Sequence, residues 1–374
     1  MGSGVLLLAA LASMLALGAG YLLASARARR LRDQRASLLE EVGLLQRALL
    51  PPVPERLGAV RTSVAYRPSE GMGAGGDFYD ALTLPGNRAA FILGDVSGHG
   101  REAVAQTAFM RFTLRAYLEA GMAPREALQV AGPVISHHLD GGVFATAVIA
   151  VHDPATSSLI YACAGHPPPL VVGPERPEAV LAASSPPIGL DLKTGLRQTT
   201  LPLRPGAVIC LYTDGLAEAR KATRILGRPR LGDFVEQLGP TAPASELLER
   251  VATEARVVTD DMAAVLIRPT GATGEASARH EQLELDRDEA ASGLAEQFLA
   301  ACHVGEAERP WLVAEAGRIA REHGTAVLDV AFASPRPVAA VLPGNVVSIG
   351  TAAGRPPTVG FWPPPALRRT GDSS

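Results

Sequence analysis

The sequence predicts an α+β fold in which antiparallel sheets are covered by helices. Short apolar runs bounded by Gly and Pro follow one another at 60–66, 89–96, 143–151, 158–164, 168–173, 207–213 and 262–268, and read as strands. Helical periodicity comes in pairs, over 101–119 and 124–139 and again over 231–239 and 244–257. The regular strand–helix alternation of a parallel, doubly wound sheet is missing. At roughly 150 residues per unit, 374 residues suit about two to three units. With 47% hydrophobic and 20% charged residues, the composition excludes wholesale disorder and a fibrous repeat. The formal net charge of −3 provides no basic field, so nucleic acid is not an expected partner. Cys163, Cys210 and Cys302 lie far apart without a CxxC pair, and read as reduced thiols in a cytosolic compartment, not as a zinc site.

From the N-terminus, Val5 to Ala24 carry no charge, and about 20 apolar residues suffice to span a bilayer as a helix. Arg27, Arg29, Arg30, Arg32 and Arg35 follow at once and would hold that side in the cytoplasm. The expectation is a transmembrane anchor at 1–26: a single pass through the cell membrane, with the bulk of the chain cytoplasmic. A cleaved signal peptide is the rival, because Ala24-Ser25-Ala26 looks like a cleavage site, but the n-region has no Lys or Arg. Residues 27–54 form a juxtamembrane helical linker. Leu31, Leu38 and Leu45 recur every seven positions, with Val42 and Leu49 filling the stripe, until Pro51, Pro52 and Pro54 end it. The stripe either pairs two copies of the chain through residues 27–50, as a homodimer, or docks on the unit that follows.

Within 55–270, four acidic segments stand where apolar strands open into turns: Gly75-Gly76-Asp77-Phe78-Tyr79-Asp80, Gly94-Asp95-Val96-Ser97-Gly98-His99-Gly100, Leu211-Tyr212-Thr213-Asp214-Gly215 and Asp260-Asp261. Any one alone reads as an Asp-Gly turn. Together they gather carboxylates that repel unless a cation neutralises them. Oxygen ligands without a matched His or Cys set suit two Mn²⁺ or Mg²⁺ ions rather than zinc. Such a pair can share a carboxylate, activate a water and clamp a phosphoryl group. His99 and His166 sit in the same stretches and read as fixing loop geometry by hydrogen bonds, in preference to general-acid work.

These segments, with Leu45-Gln46-Arg47-Ala48-Leu49-Leu50-Pro51, Phe144-Ala145-Thr146, Ala164-Gly165-His166-Pro167-Pro168-Pro169-Leu170 and Pro187-Ile188-Gly189-Leu190, resemble in order and spacing the SpoIIE/RsbU branch of the metal-dependent, protein phosphatase 2C-like (PPM) phosphatases. The resemblance runs from about Leu45 to Arg268. It implies an α-β-β-α sandwich, a switch helix before it, and hydrolysis of phosphoserine or phosphothreonine by metal-activated water without a covalent phosphoenzyme. The implied substrate is a phosphorylated regulatory protein, an anti-sigma-factor antagonist in a partner-switching pathway. By the same resemblance Asp95 bridges both metals, the Val96 carbonyl binds one, and Asp214 and Asp260 hold the first metal. Asp77 acts near the second, and Asp261 fills the slot beside the ligand. One departure is Ala263, where the family has Thr or Ser; losing that hydroxyl would loosen the metal loop by about 1 kcal/mol. A pseudophosphatase that binds such a partner without turnover is the alternative reading.

A linker is expected at 271–280 and a small α/β domain at 281–362, with an amphipathic helix at 288–302, a helix from Pro310 to His323 and a strand at 326–332. Glu315-Ala316-Gly317-Arg318-Ile319-Ala320-Arg321-Glu322-His323-Gly324 resembles the GHKL-type ATP-binding fold of the RsbW-like anti-sigma kinases. Ile319, however, occupies the place of that family's magnesium-binding Asn, and an alkyl side chain offers a hard ion no oxygen. The expectation is a degenerate copy that does not bind ATP, followed by a mobile tail at 363–374; an unrelated small α/β domain is the alternative.

Overall fold

The computed structural model describes residues 14, 17–18, 20–32, 34, 50–68, 75–98, 100–139, 142–173, 185–190, 192–221, 224–255, 258, 260–271, 278–332 and 336–344. Two antiparallel sheets face each other. The smaller has strand order β1-β2-β12-β9-β7, from β1 (Arg56–Leu57), β2 (Val60–Arg67), β7 (Leu170–Val172), β9 (Val208–Tyr212) and β12 (Met262–Pro269). The larger has eight strands, in the order β15-β14-β13-β8-β6-β5-β4-β3. Its strands are β3 (Asp77–Leu84), β4 (Arg88–Val96), β5 (Ala145–Asp153), β6 (Ser158–Ala164), β8 (Arg197–Pro202), β13 (Arg279–Asp286), β14 (Thr325–Phe332) and β15 (Val338–Pro343). A separate hairpin joins β10 (Arg220–Lys221) to β11 (Arg224–Ile225).

Three apolar layers hold the sandwich together. The period-two alternation of β4 sends Ile92 to one face and Phe91 and Leu93 to the other. Ile92 packs with Met110 and Leu114 of α1 (Arg101–Glu119) and with Leu128 and Ile135 of α2 (Pro124–His138). Phe91 and Leu93 meet Ile209, Leu211, Val265 and Ile267 of the smaller sheet. On that sheet's outer face, Phe234 of α4 (Gly227–Glu236) and Leu247, Leu248 and Val251 of α5 (Ala244–Glu254) cover Cys210, Tyr212 and Leu266. A one-turn helix, α3 (Asp214–Ala217), follows β9. Strands buried on both faces read as continuous apolar runs, which is why β4 and β12 are visible in the sequence. The order of layers is the expected α-β-β-α.

The strands of the C-terminal part continue the larger sheet. β13 begins at Arg279, inside the expected linker, and pairs with β8; β14 and β15 then extend the same sheet. Here α6 (Arg287–Ala291), α7 (Leu294–Ala301) and α8 (Arg309–His323) take the place of the second sheet, with Phe298, Leu299, Leu312 and Ile319 on Leu283, Leu285 and Leu328. The single helix expected at 288–302 is two helices, because Gly293 adopts φ 85° between them and a left-handed residue ends a helix. Among the described residues no helix is long and apolar enough to cross a membrane. Most of the span expected at Val5–Ala24, residues 35–49 and the tail at 363–374 lie outside the described residues.

Candidate active site

The four acidic segments converge at one end of the sandwich. On the larger sheet Asp77 and Asp95 are direct cross-strand partners on β3 and β4. Asp95 continues the Phe91–Leu93 alternation, so its side chain belongs to the face turned toward the smaller sheet. From that sheet, Asp214 opens α3 just after β9, and Asp260 and Asp261 lead into β12. The two ends are joined by the backbone bond from Thr213 N to Ala263 O (3.0 Å). Like charges placed directly across a strand pair destabilise it. The fold therefore spends stability to bring these groups together.

Their electrostatics follow from that crowding. Burial first, then the charges of Asp95 and Asp261, hold the Asp77 carboxyl well above the usual carboxylate range. Asp95 is raised to about 7 by burial and by Asp214, Asp260 and Asp261. Asp214 is raised by burial, then by Asp260 and Glu218. No arginine or lysine is among the causes acting on any of the three. Asp261 is buried and accepts a hydrogen bond from Tyr66 Oη (2.7 Å). Asp260 is exposed, and its Oδ1 accepts from the Asp261 amide (2.8 Å).

Glycine shapes the cradle. A Cβ on Gly76 would collide with the Val96 carbonyl and the Asp95 carboxylate, and one on Gly215 with the Asp261 carbonyl. The Val96 carbonyl thus lies beside Asp95, as a backbone ligand would require. The donor set is entirely oxygen, acidic and repelling, which suits hard divalent cations. Among the described residues no three acidic, His or Cys groups close around a single point at ligating distance. The carboxylates are neighbours in an open cluster.

Three supporting residues carry no signal of their role in the sequence. Thr213 Oγ1 donates to Asp77 Oδ2 (2.9 Å) and accepts from the Ala263 amide (2.9 Å). It thereby brings a hydroxyl to the place where the hydroxyl expected at 263 is lacking. Tyr66 lies 195 positions from Asp261. Thr146 pairs with Asp95 across β4 and β5 and touches His166. His166 does fix geometry, through Thr146 and the Tyr212 carbonyl. His99 lies outside the described residues.

Comparison with known proteins agrees with this architecture. Residues 85–270 match the family described as Stage II sporulation protein E (SpoIIE). Protein IcfG of Synechocystis sp. is 26% identical over 222 residues, which cover 52% of this chain and 34% of that protein. Phosphoserine phosphatase RsbP of Bacillus subtilis is 24% identical over 206 residues, covering 51% of this chain and 48% of its own length. The chain thus spans less than half the length of these curated relatives. Among solved structures, the SiaA-PP2C domain of Pseudomonas aeruginosa superposes with a TM-score of 0.52 at 20% identity, over 63% of this chain and 97% of that one, and shows the same fold.

Proposed function

From the match of residues 85–270 to the SpoIIE family, we propose that the chain is a PPM-type, metal-dependent serine/threonine protein phosphatase acting on a phosphorylated regulatory protein. The observation that carries the reading is the cluster of Asp77, Asp95, Asp214, Asp260 and Asp261. It combines mutually repelling carboxylates, Asp77 and Asp261 among them buried, with an oxygen-only donor set. Asp77, Asp95, the Val96 carbonyl, Asp214 and Asp260 would hold two Mn²⁺ or Mg²⁺ ions. When bound, the ions supply activation of water and neutralise the phosphoryl charge. The chain's own part is to place these oxygens. Asp95 and Asp77 present theirs from one sheet and Asp214 and Asp260 from the other, while Thr213 and Tyr66 hold Asp77 and Asp261 in position.

The decisive experiment is phosphate release from para-nitrophenyl phosphate by the full chain, with and without Mn²⁺. Metal-dependent release supports the enzyme. Absence of turnover together with retained binding of a phosphorylated partner supports the pseudophosphatase. Thr213, by supplying a hydroxyl next to Asp77, weakens the one argument for the latter. The likeness to a phosphoserine phosphatase supports a phosphoserine substrate, and its assignment as an anti-sigma-factor antagonist rests on the family resemblance of the sequence segments. It is tested by phosphate release from candidate phosphoproteins.

The anchor at 1–26 belongs to the same proposal. Met14, Leu17, Tyr21, Leu22 and Leu23 are each at least 65% exposed on helical residues, as apolar groups destined for lipid would be. Recovery of the chain in the soluble fraction after cell lysis would remove the anchor, and with it the single-pass orientation. Pairing of two copies through residues 27–50 is checked by the mass of the detergent-solubilised chain. For the C-terminal part, Ile319 is 6% exposed within an apolar core. A residue so placed offers nothing to a magnesium-bound nucleotide, and we expect docking or regulation without ATP binding. Micromolar ATP binding by the full chain would contradict this.

A further inference from the structure

We infer that His166 is a positioning residue that sets the spacing between the two halves of the carboxylate cluster, and through it the affinity of the site for divalent cations. The inference rests on the metal reading of that cluster.

The geometry is specific. His166 follows β6 and is buried. Its Nε2 lies 3.0 Å from the Tyr212 carbonyl oxygen, which can only accept, so Nε2 carries the proton. Nδ1 is then bare and accepts from Thr146 Oγ1 at 2.9 Å. Both ring nitrogens are used, and the neutral tautomer is fixed. Burial holds the imidazole down to about 4, so it stays neutral in the cell.

What the two bonds connect matters more than their strength. Thr146, on β5 of the larger sheet, is the cross-strand partner of Asp95. Tyr212 ends β9 of the smaller sheet, two residues before Asp214. Asp95 and Asp214 therefore sit one step beyond the two ends of the same imidazole. The backbone beside the ring is itself anchored, because Gly165 bridges Ala147 and its amide donates to Ser185 O (2.8 Å). Beside this bridge stands the bond from Thr213 to Asp77, and among the described residues the facing cores of the sheets meet through apolar side chains such as Phe91, Leu93, Leu211 and Val265. Such contacts are non-directional and do not by themselves set the separation of two groups at the rim of the sheets. Metal coordination needs that separation fixed, and groups that orient ligands change metal affinity by about 10-fold to 100-fold when removed.

His152 provides an internal control. It lies on the same strand β5, equally buried, six residues from Thr146, which is about 20 Å along a strand. Among the described residues its Nδ1 finds no hydrogen-bond partner, so the ring is not part of a bridge between the sheets.

The test uses the full chain, with Mn²⁺ affinity from calorimetry and from the paramagnetic resonance of free Mn²⁺, alongside the melting temperature without metal. His166→Phe is expected to weaken Mn²⁺ binding about 10-fold to 100-fold. Thr146→Val moves affinity the same way by less, and combining the two adds nothing to His166→Phe alone. His166→Gln, which keeps a donor for the Tyr212 carbonyl, recovers part of the loss. His152→Phe lowers the melting temperature and leaves Mn²⁺ affinity at the wild-type value. Should His166→Phe prove insoluble, Thr146→Val and His166→Gln still decide. Wild-type Mn²⁺ affinity in the His166 and Thr146 variants, or equal losses in the His152 variant, would overturn the inference and leave the metal reading intact. A wild-type chain that binds no Mn²⁺ overturns the metal reading and this inference with it.

Discussion

Two of the places where the larger sheet buries polar groups are built on opposite logic. At the active-site end, Asp77 and Asp95 face each other across a strand pair, and the charges acting on them are other carboxylates. At the seam between β8 and β13 every acid has a counterpart. Glu281 receives Arg197 (2.7 Å), Thr199 (2.6 Å) and Arg279 (2.8 Å). Glu284 receives Gln129 (3.0 Å) and stands 3.3 Å from Arg125. Asp329 receives Gln282 (3.1 Å) and contacts His280 (2.9 Å). A buried acid matched inside the chain is architecture, and a buried acid among other acids is waiting for a ligand.

The sharpest break of that comparison is a pair of substitutions with opposite signs. Asp95→Asn should abolish phosphate release and Mn²⁺ binding while raising the metal-free melting temperature, since it removes a repelled charge. Glu281→Ala should lower the melting temperature by an amount equivalent to about 3–5 kcal/mol, because it breaks a buried ion pair with Arg197. Stabilisation by both, or destabilisation by both, would erase the distinction.

Next in size is removal of residues 279–344. β8 would become an open edge, with Arg197 and Thr199 parted from Glu281 and Gln198 from Gln282. We expect aggregation of the shortened chain on gel filtration, and loss of a cooperative melt. A well-behaved, fully active chain lacking residues 279–344 would show that the seam is dispensable.

Smaller effects refine the site end. Thr213→Val should cost about 1–3 kcal/mol and raise the Mn²⁺ concentration for half-maximal activity, whereas Thr213→Ser should spare both. The pH dependence is the finest test. Asp95 binds its proton more tightly in the folded chain, to about 7, than in the unfolded one, with a reference value of 3.8. The folded state is therefore penalised increasingly as pH rises from about 4 through about 7. Measured without metal, the melting-temperature advantage of Asp95→Asn over wild type should grow across that window. Saturating Mn²⁺ should reverse it.

Legibility follows the same division. The apolar strands β4, β5, β6, β9 and β12 and the helix pairs lie close to where periodicity places them, because each buries residues whose hydrophobicity is written locally. β8 and β13 have no such signal. Arg197-Gln198-Thr199 and His280-Glu281-Gln282 read as surface, and they are buried only because each finds its partner on a neighbouring strand. β3 is hidden differently: its first residue, Asp77, reads as part of a turn, and it is a strand residue opposite Asp95. The acidic residues themselves are all legible, since carboxylates at strand ends are a pattern within the sequence. Their supporting groups are not, Tyr66 being 195 positions from the carboxylate it holds.

By itself the sequence determined the apolar strands, the helix pairs and the acidic residues, because hydrophobic period and charge are local properties of the chain; the order of layers followed from the family resemblance. Only the tertiary structure decided that residues 279–343 lengthen the larger sheet, and that an imidazole and a threonine hydroxyl tie the site together. Hydrogen bonds between distant residues satisfy buried polar groups pair by pair, and no stretch of sequence read alone contains both members of a pair.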